Sequence, residues 1–363
     1  MQVQITAPIH GAVLNRHDGR QDDDGLHITV QGVVSEADTV TINGRAGSAN
    51  VKARIVGATF TAEYTLDTHE TVITAVAERG GETLSHTVTV LWDRNSFPRY
   101  RFSLDDDIYF LRDIACERPK SLFDNFYLGF MRDLRDRYGT KTHINIYYAC
   151  EDFDLRQMPD AYKSEWRDNA DWLQLSFHAR ADQPRDPYKE ASAEKLLTDY
   201  RQVRDETLRF AGEESWSHFT TLHWGEGTRR GCRALRQEGI WGLAGYFIPA
   251  PALRVNYYLD APTTAYLNTH DYWKDFGEDI LFVTHDQVIN SIKTPEAVVA
   301  HLEVVAKDPH RSEVLELMVH EQYFRKHLRH YQPNVSAKVE AAIRWATEHG
   351  YTSVLYEEGF LGA

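Results

Sequence analysis

The sequence predicts an α/β protein, in which a domain of alternating strands and helices follows an all-β domain. Before residue 95, short segments of alternating apolar and polar residues succeed one another with turn residues between them. After that point, apolar strand-like runs alternate with segments of helical periodicity. The chain has 363 residues, of which 42% are hydrophobic, so it is long and apolar enough to form two domains with a sizeable core.

The first domain is predicted over residues 1–94 as an all-β sandwich. Turn residues at Asn43-Gly44 and Gly80-Gly81 provide the positive φ angles that tight hairpins need. Short strands at this spacing over about 90 residues are typical of an immunoglobulin-like fold. No group of histidines, cysteines or acids in it suggests catalysis. We expect a structural domain, because its predicted strands show few exposed aromatic residues; a carbohydrate-binding accessory is the alternative. The predicted strands are 3–5, 26–34, 40–42, 60–66, 72–77 and 87–92.

The second domain is predicted over residues 95–363 as repeated strand-then-helix units. Such units form a parallel sheet with helices outside, either closed as a barrel or wound open. The chemistry of these folds gathers at the carboxyl ends of the strands. A first helix stops before Gly139 and a last one stops at Gly350, as expected where glycine ends a helix. The predicted helices are 121–137, 193–210, 229–237 and 337–349, and the strands are 142–148, 173–177, 220–223, 315–319 and 354–356.

Composition narrows the choice of partners. Acidic residues outnumber basic ones 54 to 40, which gives a net charge of −14. This charge argues against nucleic acid or an anionic membrane surface as the main partner, and it fits a neutral or cationic small substrate. No segment approaches the length of a membrane span.

Cysteine usage and the amino terminus indicate the compartment. The three cysteines have no metal-binding or disulfide spacing. The first residues alternate like a strand and lack the basic and apolar regions of a signal peptide. We therefore expect a cytoplasmic protein, with secretion after removal of a leader as the alternative. The oligomeric state stays open.

A run of three acids, Ser103-Leu104-Asp105-Asp106-Asp107, follows the aromatic segment 97–102 at a predicted strand end. Adjacent carboxylates repel one another, so an uncompensated cluster costs stability or binds a proton. A divalent cation removes that penalty, and carboxylate oxygens are suitable ligands for it. The run therefore predicts a metal and general-base site, and a solvated acidic turn is the alternative.

Three more groups follow other predicted strands. His178 and Asp182, four residues apart, converge on one cation if the segment between them turns like a helix. His223 and Trp224 suit a sugar ring, although a packed tryptophan beside a structural histidine is an equally good interpretation. His320 leaves an apolar strand, where a histidine often serves only as a hydrogen-bonding residue. Taken together, these groups have the distribution expected for a metal hydrolase site.

The order of these motifs resembles the polysaccharide deacetylase family, the NodB-homology carbohydrate esterases. Where that family has Thr-Phe-Asp-Asp-Gly and then His-Ser/Thr-x-x-His, this chain has Ser103–Asp107 and His178–Asp182. An Arg-x-Pro-Tyr-Gly-like loop looks replaced by His223-Trp224-Gly225, and the late Leu-x-His motif resembles Met318-Val319-His320. The closing segment 348–354 is also similar. The resemblance covers roughly residues 97–358, with an insertion-like region at about 246–312.

The resemblance implies a fold, an activity and residue roles. The fold would be a distorted (β/α) barrel, and the activity a metal-dependent removal of an acetyl group from a carbohydrate. Asp106, His178 and Asp182 would hold the metal, Asp105 would be the catalytic base and His320 the acid. Zinc is the expected ion, with Co²⁺, Ni²⁺ or Mn²⁺ as alternatives. An aspartate in place of the family's second histidine makes the site harder and more negative.

Aromatic residues are candidate sugar contacts, because flat rings suit the apolar faces of pyranoses. We assign substrate binding to His223, Trp224 and Trp273, and further candidates are Trp241, Tyr246 and Tyr272. Ordinary core packing is the alternative for each ring. Two other functions stay open: a glycan-binding or inactive deacetylase-like protein, and a metal-dependent hydrolase or lyase acting on another carbohydrate bond.

Overall fold

A computed structural model describes residues 1–44, 50–359 and 361 as two compact units. Of the described residues, the first unit comprises 1–44, 50–96, Tyr272–Phe276 and Leu361, and the second comprises Phe97–Asp271 and 277–359. The division falls two residues after the predicted boundary at residue 94. The assignment of Tyr272–Phe276 to the first unit has no counterpart in the sequence analysis. No helix in the described ranges is long and apolar enough to cross a membrane.

Two sheets form the first unit. One has the strand order β1-β4-β8-β7, with β3 paired to β4, and the other has the order β2-β10-β9-β5-β6. All pairs are antiparallel except β2 with β10. The strands are β1 (Gln2–Ala7), β2 (Val13–Leu14), β3 (Arg20–Asp22), β4 (Gly25–Ser35), β5 (Thr39–Asn43), β6 (Val51–Lys52), β7 (Arg54–Val56), β8 (Thr59–Leu66), β9 (Glu70–Arg79) and β10 (Glu82–Trp92).

Side-chain alternation explains why these segments pair as a sandwich. In β4, Leu26, Ile28 and Val30 are buried while the residues between them are half-buried or exposed. This period of two gives each strand one apolar face for a shared core. Gly80-Gly81, with φ of 57° and 88°, closes the β9–β10 hairpin as predicted. The turn predicted at Asn43-Gly44 borders residues 45–49, which lie outside the described residues.

The second unit alternates strands with helices. Its strands are β11 (Arg99–Asp107), β12 (Thr142–Tyr147), β13 (Ala149–Cys150), β14 (Phe153–Asp154), β15 (Leu173–Ala179), β16 (Phe219–Thr220), β17 (Gly242–Gly245), β19 (Ile280–Thr284), β20 (Gln287–Val288), β21 (Val314–His320) and β22 (Thr352–Ser353), while β18 (Tyr272–Asp275) belongs to the first unit. Its α-helices are α1 (Tyr109–Glu117), α2 (Phe126–Tyr138), α3 (Lys163–Arg167), α4 (Ala193–Phe210), α5 (Arg229–Gln237), α6 (Ala261–Leu267), α7 (Pro295–Val305) and α8 (Val335–Glu348).

Most strands of the second unit form two parallel sheets, whereas β13 and β14 form a separate antiparallel pair. One has the order β15-β12-β11-β21-β20, with β22 beside the start of β11, and the other contains β16, β17 and β19 in that order. Strand β12 is buried along its whole length, as expected for a parallel sheet covered on both faces. An isolated bridge joins Leu175 to Trp216 next to the second sheet. The described residues thus form a mixed α/β unit, and closure into a barrel stays a prediction.

Two sequence predictions need correction. The region 246–312, predicted to be insertion-like, contributes β19, which pairs with β17, and β20, which pairs with β21. The last strand is Thr352–Ser353, just before the predicted 354–356. Apolar residues 354–356 are buried without joining a sheet. Their hydrophobicity correctly predicted burial, but the strand predicted from it lies two residues too far along the chain.

The register of β11 sets up the edge where chemistry is expected. Asp105 is paired with His320 across the parallel β11–β21 ladder. The β11–β12 pairing shifts between Leu104 and Asp107, and Asp106 within this irregularity has φ of 64°. Bulges of this kind redirect a side chain, and a non-glycine residue at positive φ is strained. The carboxyl end of β11 therefore presents Asp105 and Asp106 in different directions.

Candidate metal centre

Three side chains meet at the carboxyl ends of the parallel strands. Asp106 Oδ1 lies 3.0 Å from His178 Nε2 and 3.1 Å from His223 Nδ1. The two imidazole nitrogens are 3.2 Å apart, and the three atoms satisfy the spacing of ligands around one metal ion. Two imidazoles and one carboxylate are a donor set suited to a catalytic Zn²⁺ or another divalent transition metal.

Backbone carbonyls fix both imidazole rings. His178 Nδ1 lies 2.5 Å from the carbonyl oxygen of Thr221, and His223 Nε2 lies 3.2 Å from that of Asp182. A carbonyl only accepts, so each of these nitrogens carries the proton and donates it. The opposite nitrogen of each ring is left facing Asp106. Metal-binding histidines are held in this way, with the far N–H given to a backbone carbonyl or a carboxylate.

Asp106 is held by donors on several sides. The hydroxyl of Tyr147 donates to its Oδ1, and Gln322 Nε2 donates to Oδ2 at 2.8 Å. Burial would raise the pKa of Asp106, but the imidazoles of His178 and His223, which donate hydrogen bonds to this carboxylate when both of their nitrogens are protonated, outweigh burial and hold the pKa well below its usual value. The carboxylate is therefore charged and ready to bind a cation at neutral pH.

Asp105 is buried and lines the same cavity as Asp106. Asn145 Nδ2 donates to its Oδ1 at 2.7 Å. The amide oxygen of Asn145 in turn accepts the N–H of Thr221 at 3.2 Å and the hydroxyl of Thr220 at 3.3 Å. These donors fix the orientation of the amide, so its NH₂ group points at Asp105. Asn145 is thus a positioning residue for this carboxylate.

His320 borders the cluster from β21. Its Nδ1 lies 2.9 Å from Asn290 Oδ1, which also accepts the backbone N–H of His320 at 3.2 Å. Since the amide oxygen only accepts, Nδ1 carries a proton and Nε2 faces the cavity, 4.0 Å from Asp106 Oδ2. The imidazole is placed to exchange a proton with a bound molecule.

A buried acid anchors the strand ends against each other. Glu321, next to His320, accepts the backbone N–H groups of Ile108, Tyr109 and Phe110 at 2.7 to 2.8 Å. This carboxylate therefore caps α1 immediately after the acidic run. The third acid of the run, Asp107, is fully buried and does not line the cavity; burial, with Glu321 nearby, raises its pKa well above the usual value.

Asp182 differs from its predicted role as a ligand. Its side chain is 68% exposed and its Oδ1 is 3.9 Å from His223 Nε2, the nitrogen on the far side of the ring. The third side chain of the cluster is His223, which the sequence analysis assigned to substrate binding. The backbone oxygen of Asp182, not its carboxylate, contributes to the site by orienting His223.

The aromatic candidates separate into two groups. Trp224 and Tyr246 line the cavity and are 38% and 43% exposed, respectively. The indole N–H of Trp273, in contrast, donates to the carbonyl of His10 at 2.7 Å within the first unit, and Trp273 does not line the cavity. A structural hydrogen bond therefore replaces the predicted sugar contact of Trp273.

Sequence reasoning missed several residues at the site. Asn145 and Tyr147 lie two residues apart in β12, a strand that the sequence predicts, so their side chains point to the same face of the sheet. Their position beside Asp105 and Asp106 could therefore have been inferred from this spacing. No sequence pattern identifies Gln322.

The cavity measures about 450 Å³, within the range of small-molecule sites.

Comparison with known proteins gives no family assignment. No family model matches the chain, and no curated protein matches it. Fibronectin type III-like modules from Clostridium thermocellum match at 18% identity over 26% of this chain and 96% of that chain, with a TM-score of 0.21. A modular endo-β-1,4-mannanase from Cellulomonas fimi matches at 22% identity over 25% of this chain and only 18% of its own, with a TM-score of 0.19. A cyclomaltodextrinase matches at 8% identity over 92% and 83% of the two chains, with a TM-score of 0.36. Similarity at these scores defines neither the fold nor the function of this chain.

Proposed function

We propose that the second unit is a metal-dependent hydrolase that removes an acetyl group from an acetylated carbohydrate. The observation that carries this proposal is the cluster of Asp106, His178 and His223, with each imidazole held by a backbone carbonyl on its far side. The sequence resemblance to polysaccharide deacetylases supports the same activity. Three free cysteines are consistent with the proposed cytoplasmic location.

Asp106, His178 and His223 would hold the ion. A bound Zn²⁺ or similar ion supplies Lewis-acid chemistry, polarising an acyl carbonyl and lowering the pKa of water. Asp105 would accept the proton of the attacking water, since it lines the cavity and Asn145 fixes its orientation.

His320 would complete the proton transfers. As the bond between the acyl carbon and the sugar nitrogen or oxygen breaks, Nε2 of His320 gives its proton to the leaving atom. Asn290 keeps Nδ1 protonated and aims the ring at the cavity. Asp105 gains one proton and His320 loses one, so the products are the free amine or hydroxyl and acetic acid, which ionises to acetate in solution.

A carbohydrate is the proposed acyl carrier because of the rings at the cavity. Trp224 and Tyr246 expose flat aromatic faces next to the cluster. Such faces bury the apolar side of a pyranose while its hydroxyls remain hydrogen-bonded. Whether the acetyl group is on nitrogen or oxygen is a matter for the assay.

The test combines metal analysis with acetate release. Protein stripped by a chelator is reloaded with Zn²⁺, Co²⁺, Ni²⁺ or Mn²⁺ and assayed on N- and O-acetylated oligosaccharides. We expect metal-dependent release of acetate without shortening of the sugar chain. We also expect His178→Ala to lose the ion, while His349→Ala, a partly exposed histidine of α8's end, keeps both ion and activity. Sugar binding without acetate release would favour the glycan-binding alternative, and a shortened sugar chain would favour cleavage of another bond.

A further inference from the structure

We propose that the substrate carries an anionic group, a carboxylate, sulfate or phosphate, which Arg185 and Arg329 bind beside the metal centre. This inference rests on the proposed function and adds the substrate class. It also departs from the neutral or cationic substrate that net charge alone favours.

Both arginines border the cavity that contains Asp105 and His320. They come from different segments, one following β15 and the other following β21, and both are exposed. In the described part of the chain, no carboxylate oxygen lies within 4.0 Å of Arg185 or Arg329, whereas other exposed arginines are paired, such as Arg156 with Asp154 at 2.6 Å. Two guanidinium groups thus stand at one cavity with their hydrogen-bonding capacity available.

The neighbours of each arginine hold it without neutralising it. The guanidinium carbon of Arg185 lies 4.7 Å from the ring centre of Trp224, the aromatic residue proposed to hold the sugar. This cation–π contact keeps the charge next to the sugar face. Arg329 Nη2 lies 3.2 Å from Nε2 of His330, which also borders the cavity. The guanidinium only donates, so His330 accepts with an unprotonated nitrogen and Arg329 keeps its charge.

Local charge opposes the charge of the whole chain. A net charge of −14 repels anions at a distance, but screening limits that effect to about 8 Å at physiological ionic strength. A divalent ion on Asp106 would cancel the formal charges of Asp105 and Asp106. The remaining charges at this cavity would be those of Arg185 and Arg329, and that of His320 when both of its nitrogens are protonated, against the exposed Asp182. This local excess of positive charge favours binding of an anionic group.

Guanidinium groups match planar or tetrahedral oxyanions because their N–H groups form paired hydrogen bonds. Hydrogen bonds to charged groups are strong enough that loss of one arginine weakens binding of an anionic ligand about tenfold. A neutral sugar loses little from the same change, so the effect is selective.

The experiment is calorimetric titration of the full chain, loaded with Zn²⁺ and carrying His320→Ala so that turnover is suppressed, with tetrasaccharides matched in length. The probes are an uncharged N-acetylglucosamine oligomer, one alternating with uronate, and sulfated and phosphorylated versions. We expect at least one anionic probe to bind about tenfold more tightly than the neutral one, with the preference falling as salt rises. The preferred probe identifies the oxyanion.

Arg185→Gln and Arg329→Gln are each expected to remove most of this preference, while Arg156→Gln leaves it unchanged. Equal or absent binding of charged and neutral probes, or a preference that survives both substitutions, overturns the inference. Failure of the proposed hydrolase is a separate result, because it shows as absent acetate release while the charge preference in binding persists.

Discussion

Replacing His223 and Asp182 separately distinguishes the ligand set of the structure from the one that the sequence predicts. In the structure, Nδ1 of His223 faces both Asp106 Oδ1 at 3.1 Å and His178 Nε2 at 3.2 Å. The carboxylate of Asp182 is 68% exposed and reaches only the far nitrogen of His223, at 3.9 Å. We therefore expect His223→Ala to disrupt the metal site and Asp182→Ala to leave it nearly intact.

The magnitudes differ enough to measure. Loss of a partner that only orients a ligand already weakens metal binding about 10- to 100-fold, so removal of His223 itself should cost at least about 100-fold. The exposed carboxylate of Asp182 contributes at most about 0.2–1 kcal/mol after solvent screening, equivalent to no more than about fivefold. Its backbone carbonyl, which holds His223, is retained in Asp182→Ala.

Competition with a chromophoric zinc chelator gives the dissociation constant of each variant. Circular dichroism of the same samples establishes that both variants are folded. The interpretation of the structure is refuted if Asp182→Ala loses zinc as severely as His223→Ala does, or if folded His223→Ala binds zinc like the unsubstituted protein.

Three further predictions concern proton transfer, positioning and pH. His320→Ala should lower turnover about 10²- to 10⁴-fold while zinc content stays unchanged; unaltered turnover would exclude the acid role. Asn145→Ala should lower turnover and reduce the free energy of unfolding by about 1–3 kcal/mol, because buried partners of its amide lose their hydrogen bonds; denaturation showing no loss would contradict that network. Burial lowers the pKa of His143 from 6.5 to about 3. At a pH between these two values, the unfolded chain therefore binds a proton at His143 that the folded chain does not. The stabilisation is complete above pH 6.5 and is lost as the pH falls towards 3; urea titrations across this window should give a flatter pH profile for His143→Gln, and an identical profile would refute the assignment.

Much of the site was accessible from the sequence because parallel strands bring their carboxyl ends to one edge. Asp105, Asp106, His178 and His320 each follow or end an apolar run, and the structure gathers all four at one cavity. The positions of the apolar runs, and the expectation of a parallel sheet, were enough to predict that these four residues lie together. The same logic predicted both the sandwich-like sheets and the parallel strands that the structure contains.

The choice between His223 and Asp182 was not accessible, because it depends on the path of two loops. Trp224 has φ of 63°, a conformation that sequence patterns do not predict for a tryptophan. The turn at this point lets His223 enter the cluster, while the segment after His178 directs the carboxylate of Asp182 to solvent. Trp273 was misassigned for a similar reason, since an aromatic residue in a predicted loop gives no indication of which unit it joins.

The carbonyl groups that hold His178 and His223 also have a consequence for the speed and selectivity of ion capture. Both rings are oriented by the fold itself, so their rotational freedom is already lost before an ion arrives. Ordering a free side chain on binding costs about 0.5–1.5 kcal/mol, and this site avoids that cost twice. An incoming ion therefore meets a rigid template whose shape, more than its flexibility, decides which metal is retained.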